Sequence, residues 1–166
     1  MDMAGTIASV DDSYPAVAAS VPRVRGVLTE FAAAAGLSDA QLEGVRLVVS
    51  EAVTNVVRHA YGGHPGEVHV RASLQDGELR ILIADDGCGL PNRRGTRGLG
   101  LGLVWMAEFS DGLKLFARPG GGLEVRLRFN LPAEGEQRTR VGAPMARERS
   151  AGTLLGGAGR LTRTGG

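Results

Sequence analysis

With Cys88 as its single cysteine, the chain has no internal disulfide framework and no multi-cysteine metal site, and a reducing, cytoplasmic setting is expected. It also lacks an excess of either charge. Nineteen Lys+Arg against 18 Asp+Glu leave a net charge of +1, too little to create a global field for nucleic acid or a membrane. Lysine is nearly absent, Lys114 standing alone among arginines. No stretch approaches the roughly 20 apolar residues that span a bilayer. The opening MDMAGTIASVDDSYP meets acidic residues before any apolar run of signal-peptide length. These absences lead to the expectation of a soluble protein that binds neither nucleic acid nor membrane directly.

What is present suffices for one core, since 43% of the 166 residues are hydrophobic. The expected organisation is a flexible leader over 1–12, one domain over 13–131, and a disordered Gly/Arg-rich tail over 132–166 without aromatics. Within the domain, a short strand is expected around Tyr14–Ala18. Ser20 as N-cap, Pro22 in the first turn and Val24, Val27, Leu28 and Phe31 at helical spacing predict a first helix ending at Gly36. Ser38 caps a second, longer helix whose apolar stripe runs through Leu42, Val45, Val49, Ala52, Val53, Val56 and Ala60 until Tyr61-Gly62-Gly63.

The period then changes to two. Val68, Val70 and Ala72 alternate with His69, Arg71 and Ser73, Asp76-Gly77 makes a hairpin turn, and Leu79–Ala84 returns. A short helix over Leu101–Phe109 and a hairpin of Leu113–Ala117 with Leu123–Phe129 complete the set. Without strand–helix–strand alternation, the predicted class is α+β: a two-layer α/β sandwich with helices packed on one face of a mixed, mostly antiparallel sheet.

Three segments carry chemistry. On the second helix Glu51, Asn55 and Arg58 are spaced four and three apart, which at about 100° per residue places them in one sector. The Asn55 amide oxygen suits Mg²⁺, a hard cation that keeps waters and bridges phosphates. Glu51, one turn away, can take the proton of a hydroxyl or water attacking a terminal phosphate. Taken alone, the same sector also reads as a solvated helix face. Next, Asp85 ends a strand ahead of Asp86-Gly87-Cys88-Gly89, where a carboxylate can accept the exocyclic amine of adenine and discriminate against guanine. An ordinary Asp-Gly turn is the alternative. Finally, Gly98, Gly100 and Gly102 alternate with leucines before a helix, offering bare N–H groups to phosphate. Arg93, Arg94 and Arg97 either neutralise phosphate or are simply solvated. No Gly-Lys-Ser/Thr follows, which excludes a Walker loop, and the spacing does not fit a dinucleotide fingerprint.

In this order, E-x-x-x-N on a helix, D-x-G-x-G after a strand and G-L-G-L at a helix start, the chain resembles the ATPase superfamily of gyrase, MutL and histidine kinases, which share the Bergerat fold. It is most similar to the bacterial anti-sigma factor serine/threonine kinases, whose small domains read SEAVTN…RHAYGG, as Ser50–Asn55 and Arg58–Gly63 do here. The likeness runs from about Val21 to Leu131. It implies ATP and Mg²⁺ as cofactors, with Glu51 polarising the attacking group, Asn55 on the metal and Arg58 near phosphate. It further implies that Asp85 holds adenine, that Gly87 and Gly89 shape the base pocket, and that Gly98, Leu99, Gly100 and Leu101 contact phosphates. The implied partners are a sigma factor and an anti-anti-sigma (STAS-type) protein as phosphorylation substrate. A homodimer through Val21–Phe31 is open, the core explaining those apolar positions equally well. His59 fits the pattern but reads as a structural residue at the helix end.

Two departures stand against the resemblance. The segment Leu90–Arg97 is short for an ATP lid, and Leu123-Glu124 replaces threonines that relatives often carry. The short lid motivates a rival reading, a non-catalytic ATP-binding module that controls a partner without phosphoryl transfer.

Overall fold

The computed structural model describes residues 9–89 and 100–132. Five strands and three helices follow in the order β1 (Ser9–Pro15), α1 (Ser20–Ala34), α2 (Asp39–Asn55), β2 (Glu67–Gln75), β3 (Glu78–Asp85), α3 (Gly100–Glu108), β4 (Gly112–Ala117) and β5 (Leu123–Asn130). Between α2 and β2 the helix continues as one π-helical turn, Val56–Ala60. The sheet order is β1-β2-β3-β5-β4, and every described pair is antiparallel. The α+β two-layer architecture is as predicted, with the sheet purely antiparallel among the described residues rather than mixed. Of the leader expected over 1–12, residues 9–12 instead form the start of β1, and residues 1–8, like the tail from 133 onward, lie outside the described residues.

Strand alternation decides which face meets the helices. Val68, Val70 and Ala72 of β2, Leu79, Ile81 and Ile83 of β3 and Val125, Leu127 and Phe129 of β5 are buried. Against them pack Val24, Leu28 and Ala32 of α1, Val45, Val48, Val49, Ala52 and Val53 of α2, and Met106 of α3. Each fully buried valine, leucine or isoleucine contributes about 1.5–3 kcal/mol of transfer free energy. Val24 and Leu28 are thus core residues and Val21 and Phe31 pack partly against the core, while half-buried Val27 lies outside that cluster. The turn between β2 and β3 has positive φ at both Asp76 (54°) and Gly77 (75°), the conformation that a two-residue hairpin loop requires.

Two local expectations shift. The first strand runs Ser9–Pro15 rather than Tyr14–Ala18, paired with β2 from Ser9 opposite Ser73 to Pro15 opposite Glu67. Its Ser9–Asp12 stretch gives only a weak signal, since of β1 only Val10 and Tyr14 pack partly against the core and main-chain pairing at a sheet edge does the rest. Ser20 is not the cap of α1, which is Ala19; its buried hydroxyl donates to the Pro15 carbonyl at 2.6 Å and ties the helix to the end of β1. Ser38 does cap α2, in a reciprocal box with Gln41. Gln41 Nε2 also donates to the Asn130 carbonyl at 2.7 Å, fixing the start of α2 against the end of β5.

Candidate functional site

Asp85 closes β3 at the floor of a cleft between the sheet and the helices. Only 4% of its surface is exposed. Oδ1 accepts the N–H of Gly87 at 2.9 Å and of Leu123 at 3.4 Å, while Oδ2 has no hydrogen-bond partner among the described residues. Burial pushes the carboxyl above its usual range and Asp86 adds to this; the two backbone bonds and the Arg118 guanidinium oppose the rise without reversing it. The cleft, about 530 Å³ with its open mouth, is lined by Asp85 and Gly89 from the strand side, by Asn55, His59 and Ala60 from the helix side, and by a mostly apolar set including Ile83, Leu103, Met106, Leu115 and Val125.

Close backbone packing sets this floor. A Cβ on Gly87 would lie 2.0 Å from the Ala60 carbonyl oxygen, and one on Gly122, at φ 96°, would lie 2.0 Å from the Asp85 carbonyl oxygen. Glycine is therefore required at both for the loop after β3 to sit between the π turn and the β4–β5 turn. The Cys88 N–H donates to the Ala60 carbonyl at 2.8 Å, capping the helix end. Gly87 does not line the cleft and acts by close approach, whereas Gly89, at φ 71°, does line it. At the position where threonines were expected, Leu123 supplies a main-chain N–H to Asp85 and a side chain to the cleft wall.

Across the cleft, the π turn changes the helical phase. Its wider i→i+5 bonding advances each residue by less than an α-helix does. His59, four residues after Asn55, shares the cleft wall with it, while Arg58 is not among the lining residues; both Arg58 and His59 are exposed. Of the predicted face of Glu51, Asn55 and Arg58, only Asn55 lines the cleft; His59, one turn further on, lines it too, although from sequence it reads as a structural residue at the helix end. Glu51 and Asn55 are half-buried and their side chains make no hydrogen bond among the described residues. Glu51 lies against the first turn of α3: a Cβ on Gly102 would fall 2.3 Å from Glu51 Oε1. Gly102, read from the sequence only as one of the glycines offering N–H groups, is thus also the position that admits the Glu51 side chain.

Gly100 and Leu101 begin α3, where free main-chain N–H groups attract anions. Arg97, Gly98 and Leu99, with Arg93, Arg94 and the short lid segment, lie outside the described residues. The donor set suits the expected ligands. An apolar cleft with one unpartnered carboxylate oxygen matches a flat base bearing an amine, and the unpartnered Asn55 amide offers an oxygen to a hard cation. No group of three His, Cys, Asp or Glu gathers among the described residues, so a cation here needs oxygen from the ligand as well.

This sandwich, with a buried Asp at a strand end facing a helical Asn, defines a class, the histidine kinase-like ATPase domain, whose family profile matches residues 14–129. The chain is 30% identical over 99 residues to an anti-sigma F factor of Clostridium acetobutylicum, covering 53% of this chain and 69% of that one. It is 31% identical over 114 residues to an anti-sigma F factor of Caldanaerobacter subterraneus, covering 62% and 80%. The chain belongs to the anti-sigma factor kinase family of histidine kinase-like ATPases. Among solved structures, the RsbU and RsbW domains of Rv1364c from Mycobacterium tuberculosis share the fold with a TM-score of 0.59 at 21% identity, over 75% of this chain and 32% of that one.

Proposed function

We propose that this protein is a cytoplasmic, ATP-binding anti-sigma factor that sequesters a sigma factor and phosphorylates a serine or threonine of a STAS-type anti-anti-sigma protein. The observation that carries the reading is the free Oδ2 of buried Asp85 at the apolar floor of a cleft whose opposite wall bears Asn55. Oδ2 accepts the adenine amine, and guanine, with a carbonyl there, leaves the carboxylate unpaired. Asn55 holds Mg²⁺ through its amide oxygen; the ion, when bound, neutralises charge on the phosphates. The main chain at Gly100 and Leu101 receives phosphate oxygens.

Glu51 abuts the same turn of α3, which supports a role for its carboxylate at the phosphate end. As general base it takes the proton of the acceptor hydroxyl while that oxygen bonds to the γ-phosphorus, the bond from γ-phosphorus to the bridging oxygen breaks, and ADP leaves. The test is ATP titration with and without Mg²⁺ on wild type and Asn55→Ala, followed by label transfer to the antagonist protein. Metal-dependent binding that weakens in Asn55→Ala, with transfer lost in Glu51→Ala, is expected. Metal-independent binding and transfer that ignores Glu51 would overturn the proposal, and binding without any transfer would favour the non-catalytic module.

A further inference from the structure

Beyond the cleft, a chain of polar side chains crosses the opposite face of the sheet and ends on the main chain of Asp85. Arg118, at the β4–β5 turn, donates through Nη1 both to the Asp85 carbonyl at 3.0 Å and to the Asp86 carboxylate. The other oxygen of Asp86 accepts His69 Nε2 at 2.6 Å, and in the neutral ring His69 Nδ1 accepts the Ser13 hydroxyl at 2.8 Å. The Asp86 N–H donates to Tyr61 Oη at 3.0 Å. Residues from β1, β2, the β3 loop and the β4–β5 turn thereby converge on two peptide units.

We infer that Arg118 and Asp86, backed by His69, are positioning residues that fix the Asp85 carboxylate for adenine recognition without touching the ligand. The inference rests on the ATP reading above. Three facts support it. The Asp85 carbonyl is covered by Gly122 and depends on Arg118 for its side-chain hydrogen bond. Asp85 and Asp86 are adjacent acids, and the Arg118 guanidinium, bonded to the Asp86 carboxylate, partly opposes their repulsion. Finally, Asp86 and His69 face away from the cleft and do not line it, so structure around the base is the only way they can reach it.

The experiment measures ATP and GTP affinity, together with thermal melting, for wild type, Arg118→Ala, Arg118→Lys, Asp86→Asn and His69→Gln. Arg118→Ala is expected to weaken ATP about tenfold, the scale of one hydrogen bond to a charged group. GTP, which does not use the Asp85 acceptor, is expected to stay put, so the preference for ATP collapses. Arg118→Lys restores part of it, and Asp86→Asn reproduces the collapse without adding to it in the double variant. A parallel loss of both nucleotides, an unmoved preference, or additive losses would overturn the inference. Should Arg118→Ala not fold, Asp86→Asn and His69→Gln decide the outcome by the same ratio. Wild type that binds no ATP brings down the ATP reading itself; wild type that binds it with unmoved variants sinks only the positioning role.

Discussion

The two walls of the cleft are held in different ways. On the strand side, the Asp85 loop is fixed by backbone bonds from Gly87 and Leu123, by Arg118, by Tyr61 and by two glycine contacts that admit no side chain. On the helix side, Glu51 and Asn55 carry no side-chain hydrogen bond among the described residues, and exposed His59 stands beside Asn55 on the cleft wall. The strand side is preorganised for one partner, whereas the helix side keeps its polar groups free for ligand atoms. Recognition of a base demands a fixed acceptor, because a carboxylate that can swing aside no longer penalises the wrong base. Phosphoryl transfer instead needs groups that meet charge only once the ligand is present.

If that contrast is right, the walls separate in mutation. Glu51→Ala has the largest expected effect, a fall of about 10²–10⁴ in phosphoryl transfer with ATP affinity retained. A filter-binding and transfer assay on one preparation checks it, and a matching loss of affinity would merge the two walls. Asp85→Ala comes next, with ATP affinity down about 10- to 100-fold by calorimetry, and GTP little changed. Gly87→Ala strikes the seam between them. Its Cβ would meet the backbone at Ala60 rather than a movable side chain, so urea unfolding should show a loss of about 1–3 kcal/mol. Stability equal to wild type would mean that the loop is not tightly seated.

The smallest effect concerns charge. Burial raises the Asp85 pKa in the folded state above its unfolded value, so folding takes up a proton there. The nucleotide-free protein accordingly loses stability as pH rises through the folded-state value, and regains it as pH falls toward the ordinary aspartate range. Asp85→Asn should unfold no earlier in urea than wild type at pH 7, with the advantage vanishing in acid, although it binds ATP poorly. ATP affinity of wild type should decline on acidification sooner than for an exposed aspartate, since the protonated carboxyl loses its acceptor role. A variant clearly less stable than wild type at pH 7 would show that the charged carboxylate stabilises its loop.

Much of this molecule was legible because its signals are local. The Ser38 capping box, the Asp76-Gly77 turn and the alternation of β2 each follow from residues within a few positions of one another. Asp85 and Asn55 were legible too, as residues that the sequence singled out and the fold brings to one cleft. The edge strand from Ser9 was not, because its partner lies some sixty residues away and contributes main-chain bonds rather than a pattern. Nor was the π turn at Val56–Ala60, as every periodicity argument assumes the α-helical advance per residue.

The sequence by itself determined the class of the fold and singled out Asp85 and Asn55, which line one cleft, because composition, period and donor type are properties of the chain. Tertiary structure alone decided how they are held. It set Glu51 against Gly102, wedged Gly122 onto the Asp85 carbonyl, and brought Arg118, Asp86 and His69 into one network behind the base site. Those contacts join positions far apart in the chain, and only packing in three dimensions specifies which distant groups become neighbours.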